Sequence, residues 1–322
     1  MPRVAVVGAG VMGCAAAWAL ADAGAEVTLH EQFELDHTRG SSHGRSRIVR
    51  YAYHDPYWIP LAREARDAWR ELEAESGETL LELLGLVELA PSRELGSAPA
   101  LEQAGVEFEV GPVEGIVAPD GWTTLREPSG GVIHADRARL VLLDAARSRG
   151  AEVVLGSRVA SADDLDADAV VVTAGSWVRD FAPDLPVRVT RETVTYFRHD
   201  GPPLPSIVEV SPETGLHQMY ALHDPVHGLK AGVHHGGAEV DPDDEGGPDP
   251  EIAARTVAWV RERLPGVDPE PLGSETCLYT TTPDERFVLE RRGRVVIGSA
   301  CSGHGFKFAP AVGRRLAELA LA

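Results

Sequence analysis

The stretch Val4-Ala5-Val6-Val7-Gly8-Ala9-Gly10-Val11-Met12-Gly13 runs from four apolar residues straight into a GxGxxG. Ala15 to Leu20 continues as an alanine-rich helical pattern, and Gly24 stops it. Glu26-Val27-Thr28-Leu29-His30-Glu31 then reads as a second strand, so residues 4 to 31 form one βαβ unit. Each glycine has a task there: Gly8 makes a tight turn, Gly10 lets a pyrophosphate approach, and Gly13 lets the helix pack closely on the sheet. The amino end of the helix offers free N–H groups and a positive dipole to phosphate. Glu31 ends the second strand, where a carboxylate can accept hydrogen bonds from ribose hydroxyls and disfavours the extra phosphate of NADP. The unit predicts dinucleotide binding and leaves FAD and NAD equally open.

The composition frames that unit. A chain of 322 residues, 43% hydrophobic and 25% charged, is long enough for two domains of a globular protein. Its formal net charge of −20 argues against nucleic acid or an anionic membrane as partner, since both require a basic face. Three well-separated cysteines, Cys14, Cys277 and Cys301, form neither a disulfide framework nor a zinc site. With a strand starting at Val4 there is no room for a signal peptide, and no apolar run nears membrane-spanning length. A reducing cytoplasm is the expected location.

Outward from the first unit, cations gather where an acidic chain has least reason to hold them. Asp36 to Arg50 contains four arginines within twelve positions. Arg47 and Arg50 bracket two apolar residues, and that spacing predicts one side of a short element anchored in the interior. A buried arginine requires an anionic partner. Tyr57 to Ser76 is an amphipathic helix, with Trp58, Leu61, Ala65, Trp69 and Leu72 on one face and Gly77 as its stop. Leu83 to Leu89 and Val106 to Val110 read as strands of a second layer. A helix from Ala135 to Ser148 and strands at Ala151 to Val154 and Asp168 to Val172 resume the nucleotide-binding pattern. The last of these runs into Thr173-Ala174-Gly175-Ser176-Trp177, a second place where backbone can meet a cofactor.

From Val187 the pattern alternates: Val187 to Phe197, Ser206 to Val210, Leu216 to Leu222, then a strand-like run holding Lys230 and ending at His234-His235. Asp249 as N-cap and Pro250 at the first helical position open a helix through Leu264. Cys277, Leu278 and Tyr279 alternate as in a strand, and another strand is expected from Phe287 to Glu290. Near the end, Cys301-Ser302-Gly303-His304-Gly305-Phe306-Lys307-Phe308 joins an apolar run, Val295-Val296-Ile297, to a helical pattern at Ala311 to Leu321. Small residues let backbone approach something flat there, and two potential cations sit beside it.

Taken together, GxGxxG, His-Thr-x-Gly-Ser-Ser-His-Gly with Arg47 and Arg50, Lys230-x-Gly-x-His234, Cys277-Leu-Tyr-Thr and Ser-Gly-His-Gly-Phe-Lys-Phe resemble the monomeric sarcosine oxidase family. That family includes N-methyltryptophan, pipecolate and fructosyl-amine oxidases, within the D-amino-acid-oxidase-like flavoproteins. The resemblance implies covalent FAD and oxidation of a secondary amine or N-methyl amino acid. Hydride passes to flavin, and O2 is reduced to hydrogen peroxide. By the same resemblance Cys277 carries the flavin, a step that needs a thiolate and so gains from nearby cations. His43 and Arg47 lie against the ring, with Ser42, Gly175, Gly303 and Gly305 close by. Lys230 promotes the reaction with O2. Arg50 and Lys307 grip the substrate carboxylate, Lys307 also touching the cofactor. Tyr279, His304 and His234 line the substrate cavity, and Tyr220 matches a further tyrosine once one residue is deleted.

The expected fold class is α/β, a Rossmann-like FAD-binding domain interleaved with a β-rich α+β substrate domain. Residues 1–80, 130–185 and 283–322 fall to the first, and 81–129 and 186–282 to the second. The partners expected are a small amine carboxylate and O2, with the chain a monomer and no metal bound. Three departures from the family stand out: the chain is short, Arg45 replaces an acidic or neutral residue, and Cys301 replaces an apolar or small one. The other readings are a flavin dehydrogenase with a different acceptor, a specialised imino-acid oxidase of a biosynthetic pathway, a flavin-binding protein without turnover, and an NAD-dependent dehydrogenase.

Overall fold

The computed structural model describes residues 1–91, 96–211 and 217–322. Strand Arg3–Val7 lies inside a six-stranded sheet, between strands Ala169–Val172 and Glu26–His30. Strand Glu152–Val154 closes one edge, and Val295–Ser299 followed by Val288–Arg292 closes the other. All pairings are parallel except that of the last two strands. Layers cover both faces, which is why Val4 to Val7 is continuously apolar rather than alternating.

Helix Val11–Asp22 packs on one face of this sheet with helices Ala135–Ser148 and Ala309–Leu321. It is buried from Val11 through Ala21, as an apolar, alanine-rich helix must be. Gly313 lets the last helix approach it, because a Cβ there would stand 2.4 Å from the Ala15 carbonyl oxygen. On the opposite face Ala5, Val7, Val170, Val172 and Ile297 pack against Val178, Ala182, Leu185 and Val187.

The second sheet is mainly antiparallel. It runs through strands Arg188–Arg198, Gly228–Val233, His217–Asp224, Ser206–Val210, Leu86–Pro91 and Trp122–Glu127, and Pro271–Thr281 pairs along Arg188–Arg198. Its two faces follow the period of two. Phe197, Met219, Ala221, Leu229, Ala231 and Val233 point to a core under helix Pro250–Arg263, with Ile252, Trp259 and Val260. Val194, Tyr196, Tyr220, Leu222 and Lys230 point the other way, to the cavity described below. The Asp249 carboxylate caps that helix by accepting from the Glu251 and Ile252 amides. A small sheet of Ser46–Val49, Gly131–His134 and Leu81–Glu82 bridges the two layers.

The structure departs from the sequence reading in three places. Leu83 to Leu89 is not one strand: Leu81–Glu82 joins the bridging sheet and Leu86–Pro91 the large one, because Gly85 turns the chain between them at φ 88°. Val106 to Val110 yields only Glu109–Val110, preceded by a short helix, Ala98–Gln103. Arg47 and Arg50 do not share a side, since Ser46–Val49 is a strand and Arg50 lies just past its end. The expected strand start at Leu216 lies outside the described residues. Among those described, no helix is long and apolar enough to cross a membrane.

Candidate active site

A cavity of about 610 Å³ opens at the carboxyl ends of strands Arg3–Val7 and Ala169–Val172 and extends to the inner face of the second sheet. That is the place where open α/β sheets bind ligands. Gly8, Gly10, Glu31, Ser42 and Gly175 line its nucleotide side. His43, Arg47, Arg50, Lys230, His234, Cys277, Tyr279, Gly303, His304, Gly305 and Lys307 line the rest. Gly13 alone of the anticipated residues is off the wall. A Cβ on it would stand 1.7 Å from the Gly8 carbonyl oxygen, so its task is packing.

The nucleotide side is a cradle with little room for side chains. Gly8 has φ 97°, and a Cβ there would meet the Thr173 carbonyl oxygen at 2.7 Å. Helix Val11–Asp22 begins at Gly10 with neither a side-chain cap nor an acid in its first turn, so its positive end stays open to an anion. Ser42 Oγ accepts from the Val11 amide at 3.0 Å and ties the arginine-rich loop to that helix start. Glu31 is buried, with one carboxylate oxygen accepting from the Ala9 amide at 2.7 Å and the other from the Phe33 amide at 3.0 Å. Each oxygen keeps a lone pair for a ribose hydroxyl. The reading of the sequence missed Arg139, which lines this side and donates to the Leu35 carbonyl at 2.6 Å. Glycines, an open helix end and a fixed acid fit an FAD.

On the far side Arg47 donates to three backbone carbonyls, of Ser46 at 2.8 Å, Ser41 at 2.9 Å and His43 at 2.6 Å. These bonds fix its plane without neutralising its charge. Lys230, only 5% exposed, donates to the same Ser46 carbonyl at 2.7 Å. Burial, then the Arg47 charge, pushes its ammonium down to about 7. His43 is pushed down to about 4 by burial and by Arg47 and Lys230. The Cys277 thiol is pushed up to about 11 because burial outweighs those same two cations. Arg45 is answered by the buried Asp224 carboxylate at 2.9 Å, and its guanidinium lies 4.9 Å from the Tyr196 ring centre. It is a wall residue with its own counter-ion.

Arg50 and Lys307 meet at the substrate end, each 7% exposed. Lys307 Nζ donates to the Tyr53 hydroxyl at 3.1 Å and to the His304 carbonyl at 2.7 Å, both neutral groups. Burial and then Arg50 hold its ammonium well below the usual lysine range. His304 is caged by Trp58, Phe287 and Phe308, and burial, then Lys307, keep it neutral far below the usual imidazole range. Tyr220 and Tyr279 share a side-chain hydrogen bond, and Tyr279 lies edge-on to His234 at 5.6 Å. Gly303, at φ 72°, makes this corner possible: a Cβ there would stand 2.5 Å from the Tyr279 ring and 2.6 Å from the His234 ring. Lys230 and Lys307 are the two lysines of the whole sequence, and both line the cavity.

The model of the family described as DAO, FAD dependent oxidoreductase, matches residues 3–319. The chain is 35% identical over 355 residues to the peroxisomal sarcosine oxidase of Homo sapiens, covering 98% of this chain and 91% of that protein. It is 31% identical over 358 residues to the monomeric sarcosine oxidase of Bacillus sp. (strain B-0618), covering 99% and 92%. Its fold matches that of NikD, an unusual amino acid oxidase essential for nikkomycin biosynthesis, with a TM-score of 0.85 at 24% identity over 100% of this chain and 94% of that one.

Proposed function

We propose that this chain, which belongs to the DAO family of FAD-dependent oxidoreductases, oxidises an N-methyl or other secondary amino acid and passes the electrons to O2, releasing hydrogen peroxide. The observation that carries this reading is the pair of buried cations, Arg50 and Lys307, converging in one aromatic pocket of the cavity that Lys230 also lines. Two buried cations at one spot fit a carboxylate that arrives with the ligand.

Bound FAD supplies the two-electron acceptor for the hydrogen leaving the carbon next to nitrogen. The sheet of Arg3–Val7 with its covering layers, residues 1–80, 130–185 and 283–322, serves as the FAD-binding domain. Residues 81–129 and 186–282 provide the substrate domain. Arg50 and Lys307 hold the substrate carboxylate, while Tyr279, His234, Tyr220 and His304 shape the space for the amine substituent and keep water out. Positive charge beside a bound amine lowers its pKa, so the amine reaches the neutral form that can be oxidised without a strong base. Lys230, braced on the Ser46 carbonyl, places a proton donor where charge develops as O2 is reduced. Cys277 is the attachment point for FAD. Its thiol is protonated at neutral pH, so attachment quickens as pH rises toward about 11. We place the protein in the cytoplasm as a monomer.

The test is a peroxide-coupled screen of the purified yellow protein against sarcosine, other N-methyl amino acids and cyclic imino acids. Each is paired with the same amine lacking its carboxylate. Peroxide from the carboxylate-bearing members alone is the expected result. Equal rates within pairs would show that the two cations do not hold the substrate, and absence of peroxide throughout would refute the oxidase reading.

A further inference from the structure

Tyr53 does not line the cavity, yet its hydroxyl meets three residues of the substrate end. Lys307 Nζ donates to it at 3.1 Å. His304 Nδ1 lies 3.2 Å from it. Arg50 hydrogen-bonds it, with the guanidinium 4.4 Å from the ring centre. The phenol is buried beside Trp58 and Phe308. Its backbone is pinned from below, since the Tyr51 and Ala52 amides both donate to the buried Glu127 carboxylate, at 2.9 Å and 2.8 Å.

The hydrogen-bond inventory fixes which way each proton points. His304 Nε2 faces the Glu285 carbonyl oxygen at 3.5 Å, and a carbonyl only accepts. Nε2 therefore carries the ring proton, and in a neutral imidazole Nδ1 is then an acceptor. The Tyr53 hydroxyl must give its proton to Nδ1, which leaves both of its lone pairs for the N–H donors of Lys307 and Arg50. No other arrangement satisfies all four groups. Glu285 itself lies at φ 59°, in the left-handed region.

Resting on the carboxylate grip proposed above, we propose that Tyr53 is the positioning residue of that grip: one hydroxyl aligns Arg50 and Lys307 and, by donating to Nδ1, holds the His304 ring in place. Arg50 and Lys307 arrive from segments more than 250 residues apart in sequence, and Tyr53 is a neutral group that both cations share. It acts through them, since it does not itself reach the cavity.

Two measurements test it. The first is ¹⁵N NMR of the imidazole-labelled yellow protein, with His304 assigned by difference against His304→Gln. The expected signal is Nε2 protonated and Nδ1 bare in both proteins, since the Glu285 carbonyl remains, with the Nδ1 resonance moving downfield in Tyr53→Phe as it loses its hydrogen-bond donor. The second is titration with acetate, read from the flavin absorbance, alongside steady-state kinetics. Losing a hydrogen bond to a charged group corresponds to roughly ten- to hundred-fold weaker acetate binding and a matching rise in KM, with kcat changed only a few-fold. An Nδ1-protonated His304 in the unmutated protein would overturn the assignment even if Tyr53→Phe gave no soluble protein. If Arg50→Ala weakens acetate and Tyr53→Phe does not, the Tyr53 role falls and the grip stands. If neither changes acetate binding, the grip is refuted and the Tyr53 role with it.

Discussion

Replacing Lys230 with methionine should make the protein more stable while removing a group needed for turnover. In the unfolded chain a lysine ammonium titrates near 10.5, and in the fold Lys230 titrates near 7 because it is buried beside Arg47. At about 1.4 kcal/mol per pH unit, keeping that proton in the fold at pH 7 costs about 4 kcal/mol. Methionine has nearly the same length and no proton to hold. The hydrogen bond from Nζ to the Ser46 carbonyl is lost, but that oxygen also accepts from Arg47, so the loss is about 1 kcal/mol. The net gain at pH 7 is about 3 kcal/mol. Its sign follows from proton counts. Between pH 7 and 10.5 the unfolded state holds more protons than the folded one, so the unsubstituted protein gains stability as pH rises through that window. Below the window the contribution is flat. The advantage of Lys230→Met should therefore be full at pH 7, shrink toward pH 10.5, and invert slightly above it as the lost hydrogen bond is all that remains. Urea unfolding of flavin-free protein in a Cys277→Ala background, followed by tryptophan fluorescence at several pH values, measures the difference. Lys307, which Lys230 does not influence, is common to both proteins and cancels, and His43 and Asp136, which Lys230 does influence, titrate below the window. A variant less stable at pH 7, or an advantage that does not change with pH, would refute the argument.

Other outcomes follow from the same geometry. Cys277→Ala should bind flavin that acid releases, whereas the unsubstituted protein should keep its colour in the acid pellet; flavin retained by the variant would disprove the attachment site. Lys230→Met should slow reoxidation by O2 by roughly 10²-fold or more, the scale of a lost preorganised donor, while reduction by substrate changes little. Stopped-flow traces showing equal slowing of both half-reactions would remove its assigned role. Lys307→Ala should raise KM for a carboxylate-bearing amine by roughly ten- to hundred-fold, and an unchanged KM would place the carboxylate elsewhere.

Most of the fold was legible because its decisive segments obey local rules. Val4 to Glu31 carries its strand, turn and helix in a single pattern, and helix Ala135–Ser148 fell on the expected residues because Gly150 stops it, turning at φ 94°. What escaped is what two distant segments decide together. Leu83 to Leu89 reads as one strand in sequence, yet the pairing strands are Leu81–Glu82 and Leu86–Pro91 in two different sheets, and only the partners at Val132 and Val208 reveal the division. Arg47 and Arg50 look like helical neighbours, but pairing with Gly131–His134 makes their segment a strand. Arg139 gave no signal, because an arginine on an amphipathic helix is ordinarily a solvated one. Tyr53 sat in Tyr51-Ala52-Tyr53 with nothing to separate it from its neighbour two residues earlier.

The site did leave one mark in the composition that motif reading passed over. Of 30 basic side chains, 28 are arginine and two are lysine, and the two lysines are Lys230 and Lys307. At a solvated surface the two residue types serve nearly alike, and this chain has settled those positions with arginine. Arginine cannot release its proton in a protein, whereas burial readily moves a lysine into the neutral range. Lysine thus remains at the two walls of the cavity where a cation must be compact and its proton mobile: Lys230 against Arg47, and Lys307 against Arg50. Each is paired with an arginine whose charge is fixed, so every binding corner has one permanent cation and one that can respond to what arrives. An anion entering either corner stabilises the protonated lysine and takes up a proton with it. Binding of a carboxylate at neutral pH should therefore draw protons from the buffer, which makes the charge of the site a property of the complex rather than of the free protein.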